Sequence, residues 1–201
     1  IAGRIQYGNS RYVNWPGGPA RIPLASDADD LNAPTYASFT DLANTPLGDH
    51  KVVERTGQPV LDSLNRAGQV APAPGMAVYN VSYVRFEPLT GHNLPGVFWD
   101  YLNARGPVRD NGQTIDAPLS DPWFFTSGLP ISEAYWARVK IANELHDVLI
   151  QCYERRVLTY IPDYAPAWRV QMGNIGQHYV QWRYPNGLPL PGPVPTAPPT
   201  P

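Results

Sequence analysis

Ala134-Tyr-Trp-Ala-Arg-Val-Lys-Ile141 and Val148-Leu-Ile-Gln-Cys-Tyr-Glu-Arg-Arg-Val-Leu-Thr-Tyr-Ile161 are the two runs on which the fold turns. Both are dense in β-branched and aromatic side chains, which fit a pleated, covered surface, and they predict two strands of one hairpin. The linker Ala142–Asp147 reads as its loop. The return strand carries Val148, Ile150, Cys152 and Leu158 on one face and Leu149, Tyr153 and Val157 on the other. A strand apolar on both faces belongs in the middle of a sheet.

Downstream, Trp168–Met172 reads as a short strand, and Gly173-Asn174 opens a helix in which Ile175, His178, Tyr179 and Trp182 share one face. Pro185 ends it. Upstream, Asp110-Asn111-Gly112 is a tight hairpin signal between Val108 and Ile115. Asn93 is the expected N-cap of a helix striped by Val97, Phe98, Tyr101 and Leu102 and stopped by Gly106. Met76–Glu87 reads as a strand. Residues 1–75 read as loops and short strands, with Tyr36–Ala43 and Val60–Arg66 as possible short helices. The expected class is α+β: antiparallel β-hairpins with a few short amphipathic helices, loop-rich, forming a single domain over residues 1–184.

Proline is the compositional outlier, with 24 in 201 residues, and 8 of them fall in Pro185–Pro201. Residues 185–201 therefore read as a polyproline II linker or stalk. Many prolines, short turns and arginine in place of lysine would suit a heat-tolerant, thermophile source. A chain that starts at Ile1 without Met is expected to have lost an N-terminal segment, as a secreted protein does.

Net charge is −2 with scattered basic residues, which argues against nucleic acid, since phosphates require a basic stripe. No apolar run reaches the roughly 18–20 residues of a membrane span. The single cysteine, Cys152, excludes an internal disulfide and reads as a buried inert thiol.

Signatures of hydrolases, zinc proteases and phosphate-binding loops are missing, and no cofactor or metal is expected. His50, His92, His146 and His178 have no ligand-like spacing; His146 reads as solvated and His178 as a core histidine. The weak catalytic candidates are His92, at a turn, and the carboxylates Glu133 and Asp100; Glu154 reads as a cross-strand ion pair beside Arg155-Arg156. Six Trp and twelve Tyr offer rings that stack on sugars, with Trp136 and Trp168 the candidates for exposure and His92 a third binding candidate, while Trp99 and Trp182 read as core. Asn80-Val81-Ser82 matches a glycosylation sequon by chance.

Residues 97–184 resemble a known type. An aromatic helix (Phe98-Trp99-Asp100-Tyr101-Leu102) is followed by Gly128-Leu129-Pro130-Ile131-Ser132-Glu133, by Gln151-Cys152-Tyr153-Glu154-Arg155-Arg156-Val157-Leu158-Thr159-Tyr160, and by Gly173-Asn174-Ile175-Gly176 with a second aromatic helix. This is similar to the LGFP-type repeats of secreted bacterial cell-envelope proteins, with Ser127-Gly128-Leu129-Pro130 at the eponymous turn. The longer pattern, with Thr90-Gly91-His92, resembles secreted proteins of thermophilic bacteria. The resemblance implies wall anchoring and carries no catalytic residues. The leading expectation is a secreted, extracellular, non-catalytic cell-envelope module that binds a cell-wall or surface glycan, or copies of itself. A polysaccharide-acting hydrolase domain and a filament or surface-layer subunit are the alternatives.

Overall fold

The hairpin read from residues 134–161 forms the centre of a six-stranded sheet. The computed structural model describes residues 4–7, 11–14, 16–43 and 52–187. His50 and the tail from Leu188 onward lie outside the described residues. In chain order the strands are β1 (Arg4–Tyr7), β2 (Arg11–Asn14), β3 (Asp62–Leu64), β4 (Val70–Pro72), β5 (Tyr83–Glu87) and β6 (His92–Pro95), followed by helix α1 (Gly96–Leu102). Then come β7 (Arg105–Asp110), β8 (Gln113–Pro118), β9 (Tyr135–Ile141), β10 (Glu144–Cys152), β11 (Val157–Tyr160), β12 (Val170–Met172) and helix α2 (Ile175–Arg183). The large sheet runs β12-β11-β10-β9-β3-β4, while β1-β2, β5-β6 and β7-β8 are separate two-stranded pairs. Every pairing is antiparallel except β3 with β9, which meet in parallel at Ser63 and Trp136. The class is α+β, as the sequence indicates.

Both faces of the large sheet are covered, and this explains the doubly apolar β10. On one face Ala137, Val139, Val148, Ile150, Cys152 and Val157 pack under Leu24, Tyr36 and Phe39. On the other, Trp136, Leu149, Tyr153 and Leu158 pack against Val60, Tyr83, Leu94, Phe98 and Leu102. Burying one such side chain contributes about 1.5–3 kcal/mol, so this two-sided burial is the main stabilising term.

The central hairpin is tighter than its sequence suggests. Its loop is only Ala142-Asn143, both at positive φ (52° and 67°). Their N–H groups each donate to the Asp27 carboxylate at 3.0 Å, so a remote loop supplies what a local turn signal lacks. Residues Glu144–Asp147, read as part of the loop, therefore belong to β10. The long return run is broken at Tyr153–Arg156, where Tyr153 N–H closes a turn onto Arg156 O at 2.8 Å. Strand β11 then folds back on β10, which puts Val157 on the face of Val148 and Leu158 on that of Leu149, the reverse of the expectation. The Asn111-Gly112 hairpin follows its turn chemistry, with both residues at positive φ.

Four other expectations are corrected. Val60–Arg66 is no helix but contains β3, which turns at Asn65–Gly68 into β4. The region 36–43 holds one 3-10 turn, Tyr36–Phe39. The region 76–87 begins in a 3-10 turn, Pro74–Tyr79, ended by Asn80 in the left-handed conformation, so only Tyr83–Glu87 is a strand. His92–Pro95 is a strand paired with β5, and α1 starts after Pro95, so Asn93 caps nothing. Helix α2 is present, with Ile175 and Trp182 partly buried on the core and Tyr179 43% exposed. Among the described residues, no helix is long and apolar enough to cross a membrane.

Candidate functional site

Two of the sequence candidates converge. Strand β6 turns His92 and Asn93 inward, and the segment leading into β9 brings Glu133 to them. Glu133 is 3% exposed and His92 1%. Four donors saturate the carboxylate. His92 Nδ1 (3.2 Å) and the Asn93 backbone N–H (2.8 Å) donate to Oε1, and Arg55 Nη2 (2.9 Å) and Asn93 Nδ2 (3.1 Å) to Oε2. Arg55 continues outward to Asp62 Oδ2 at 2.6 Å and to the Tyr83 hydroxyl at 3.0 Å, and its N–H reaches Asn93 Oδ1 at 2.8 Å.

A second tier fixes this cluster from below. Gln151 Nε2 donates to the carbonyls of Asn93 and Ser132, both at 2.9 Å, and its Oε1 accepts from the Tyr153 hydroxyl. Ser132 Oγ accepts the Cys152 N–H at 3.0 Å and donates to Glu133 O. Burial pushes the Glu133 carboxyl up, but the donors His92, Arg55 and Asn93 outweigh it and hold the group below its ordinary value. Burial raises the Tyr83 and Tyr135 hydroxyls and pushes the Cys152 thiol up to about 12. A carboxylate kept ionised, sealed and fully hydrogen-bonded has neither a proton to give nor a lone pair facing substrate. Its work is to tie the 52–55 loop, β6 and β10 together.

The remaining candidates do not join the cluster. Asp100 is exposed on α1. Glu154 makes no cross-strand pair; its carboxylate accepts the Leu129 N–H at 3.0 Å, within the Ser127–Pro130 turn. His146 is not solvated but 8% exposed, with Nδ1 2.8 Å from Asp163 Oδ2. His178 is the hydrogen-bonded histidine expected, with Nδ1 2.9 Å from the Tyr36 hydroxyl, and burial lowers its pKa. Trp136 is corrected as an exposed ring: it is fully buried, donates Nε1–H to Val60 O at 2.8 Å and stacks on Tyr79 at 5.0 Å. The reason is the covered second face, which leaves no outward side to β9 at that position. His92 is likewise inaccessible to a ligand. Trp168 is 68% exposed on a 3-10 turn. A cavity of about 290 Å³ lies between Leu24–Asp27 and the start of α2, and one of about 430 Å³ between Ser63–Gln69 and Arg138. Among the described residues, no cluster of three or more His, Cys, Asp or Glu could hold a metal ion.

Sequence reading missed an aromatic surface assembled from α1, β5 and the loop after β8. Trp99 and Trp123 meet edge to face at 5.3 Å, and Phe124 meets Trp123 at 5.4 Å. The Arg85 guanidinium lies 4.8 Å from the Trp99 ring and 5.9 Å from Trp123. Phe124 is 38% exposed and Phe125 67%. The hint in the sequence was local: three consecutive aromatics, Trp123-Phe124-Phe125, of which Trp123 packs on the core while Phe124 and Phe125 stay exposed. No protein-family model matches this chain, and neither a curated protein nor a solved structure matches it.

Proposed function

We propose that the chain is a secreted, extracellular, non-catalytic module of a cell envelope that binds a surface polymer, as its likeness to LGFP-type repeats implies. The observation that carries this reading is the aromatic cluster in which half-buried Trp99 and Trp123, seated on the core, are continued to the surface by the exposed Phe124 and Phe125. Indole and phenyl faces stack on the C–H faces of sugars, and such rings on a rigid helix and a short loop form a platform needing no movement to bind. The hydrolase alternative is disfavoured by chemistry: its strongest acid/base pair, His92 with Glu133, is sealed and spent on internal partners.

The test is retention of the purified chain on peptidoglycan and other insoluble wall polysaccharides. The expected result is retention that Trp123→Ala abolishes, with no reducing sugar released. A chain that is monomeric and retained on none of these polymers refutes the proposal.

A further inference from the structure

Arg85 in the middle of the aromatic surface is held in an unusual state. A guanidinium offers five N–H donors in a rigid fork. Here the Nε is buried with no hydrogen-bond partner among the described residues. The ion pair with Glu87 Oε2 is long, 3.7 Å, while Glu87 Oε1 accepts the Leu89 N–H at 3.2 Å. What fixes the group is the pair of indoles, at 4.8 and 5.9 Å. Ring stacking orients the plane. With Nε buried, the donors within reach of a ligand are those of the two terminal nitrogens, of which Nη2 lies 3.7 Å from Glu87, and the side chain remains 42% exposed.

We propose that this surface takes a carboxylate-bearing sugar unit, the rings holding the C–H face and the Arg85 fork holding the carboxylate in a bidentate pair. The inference rests on the polymer-binding reading above and adds the ligand class. A planar fork matches a planar carboxylate, and a charge-assisted bidentate pair is about twice as strong as neutral hydrogen bonds. One arginine beside one buried carboxylate leaves little net positive charge. That suits a monoanionic sugar better than a phosphodiester polymer, which calls for several cations. Glu87 competes for the same guanidinium only at 3.7 Å, so a ligand carboxylate gains by forming the shorter, bidentate pair.

The experiment uses the whole chain with polygalacturonate, alginate and peptidoglycan glycan strands, each before and after methyl-esterification of its carboxylates, and with a phosphodiester polymer and polyglutamate alongside. Binding is followed by affinity electrophoresis and calorimetry. The expected result is binding to at least one acidic polymer, weakened about tenfold or more by its esterification, by Arg85→Gln and by high salt. Arg85→Lys retains the charge without the fork and falls between wild type and Arg85→Gln. Trp123→Ala loses acidic and esterified forms alike. Melting curves of both arginine variants verify that they fold. Equal binding of acidic and esterified polymer, or unaltered binding by folded Arg85→Gln, overturns the carboxylate assignment and leaves polymer binding standing. Retention only on a phosphodiester polymer or an acidic peptide overturns it as well. Retention on no polymer defeats both readings together.

Discussion

Glu133→Gln is the sharpest perturbation of the buried cluster, because it preserves shape and removes charge. Each Glu133 oxygen accepts two donors, at 3.2 and 2.8 Å on Oε1 and at 2.9 and 3.1 Å on Oε2. A glutamine keeps one oxygen, so in either orientation two donors face an amide NH₂. Hydrogen bonds to a charged group contribute about 1.5–3 kcal/mol each, and breaking a buried pair costs about 3–5 kcal/mol. Arg55 is 26% exposed and retains Asp62, which places the expected loss toward the lower end, about 3 kcal/mol. Urea unfolding at neutral pH, followed by tryptophan fluorescence, measures it. The acid profile gives an independent reading. The folded carboxyl titrates below its ordinary 4.5, so its contribution is complete above that value and disappears as pH falls through the lower folded value. Wild type should therefore lose stability on acidification more steeply than Glu133→Gln. A loss under about 1 kcal/mol, or superimposable acid profiles, would show that the cluster contributes no net charge stabilisation and would refute this reasoning.

Other expectations follow from single observations. Gly128 has φ +72°, and an added Cβ would stand 2.6 Å from Glu154 Cβ. Gly128→Ala should cost about 2–4 kcal/mol by thermal unfolding, and an unchanged melting temperature would mean that the turn has another conformation. Cys152, buried with its thiol pushed up to about 12, should not react with a disulfide reagent at pH 8 until the chain unfolds; prompt labelling of native protein would contradict its burial. Ala142 holds φ 52°, which asparagine tolerates better than alanine. Ala142→Asn should stabilise by about 0.5–1 kcal/mol, and destabilisation would show that the Asp27 cap depends on alanine.

What the sequence revealed divides along a physical line. Strands long enough to average out local noise were legible: β9 and β10 from their apolar density, and the β7–β8 turn from Asn111-Gly112, whose residues favour the left-handed region by themselves. Features made by distant partners were not. Ala142-Asn143 becomes a two-residue turn because Asp27 holds its amides, and Asp62–Leu64 within Val60–Arg66 becomes a strand because Ser63 finds Trp136. Trp136 looked like a surface ring because Arg138 and Lys140 follow it; only the layer of β5, β6 and α1 shows that both sides of β9 are covered there. Glu133 and His92 stand out in the sequence as catalytic candidates, yet nothing local marks the carboxylate as buried and spent on internal donors. Gln151 within Leu149-Ile150-Gln151-Cys152 was the available clue, since a lone amide in an apolar strand implies a polar centre to serve.

The buried cluster and the aromatic surface are connected by strand β5-β6. Apolar packing alone specifies weakly how a chain with many short elements should lay its loops, because any apolar loop of similar size can cover a sheet. A saturated carboxylate is less permissive. Glu133 accepts from Arg55 and from His92 and Asn93, and the Gln151 amide binds the Asn93 carbonyl from β10, so a shifted β6 would leave a buried charge unsatisfied. On the adjoining strand β5, Tyr83 hydrogen-bonds Arg55 while Arg85, two residues on, carries its guanidinium to Trp99 and Trp123. A register fixed at Glu133 therefore also fixes where Arg85 emerges, and a sealed polar centre with no catalytic access still determines the geometry of the face that meets solvent.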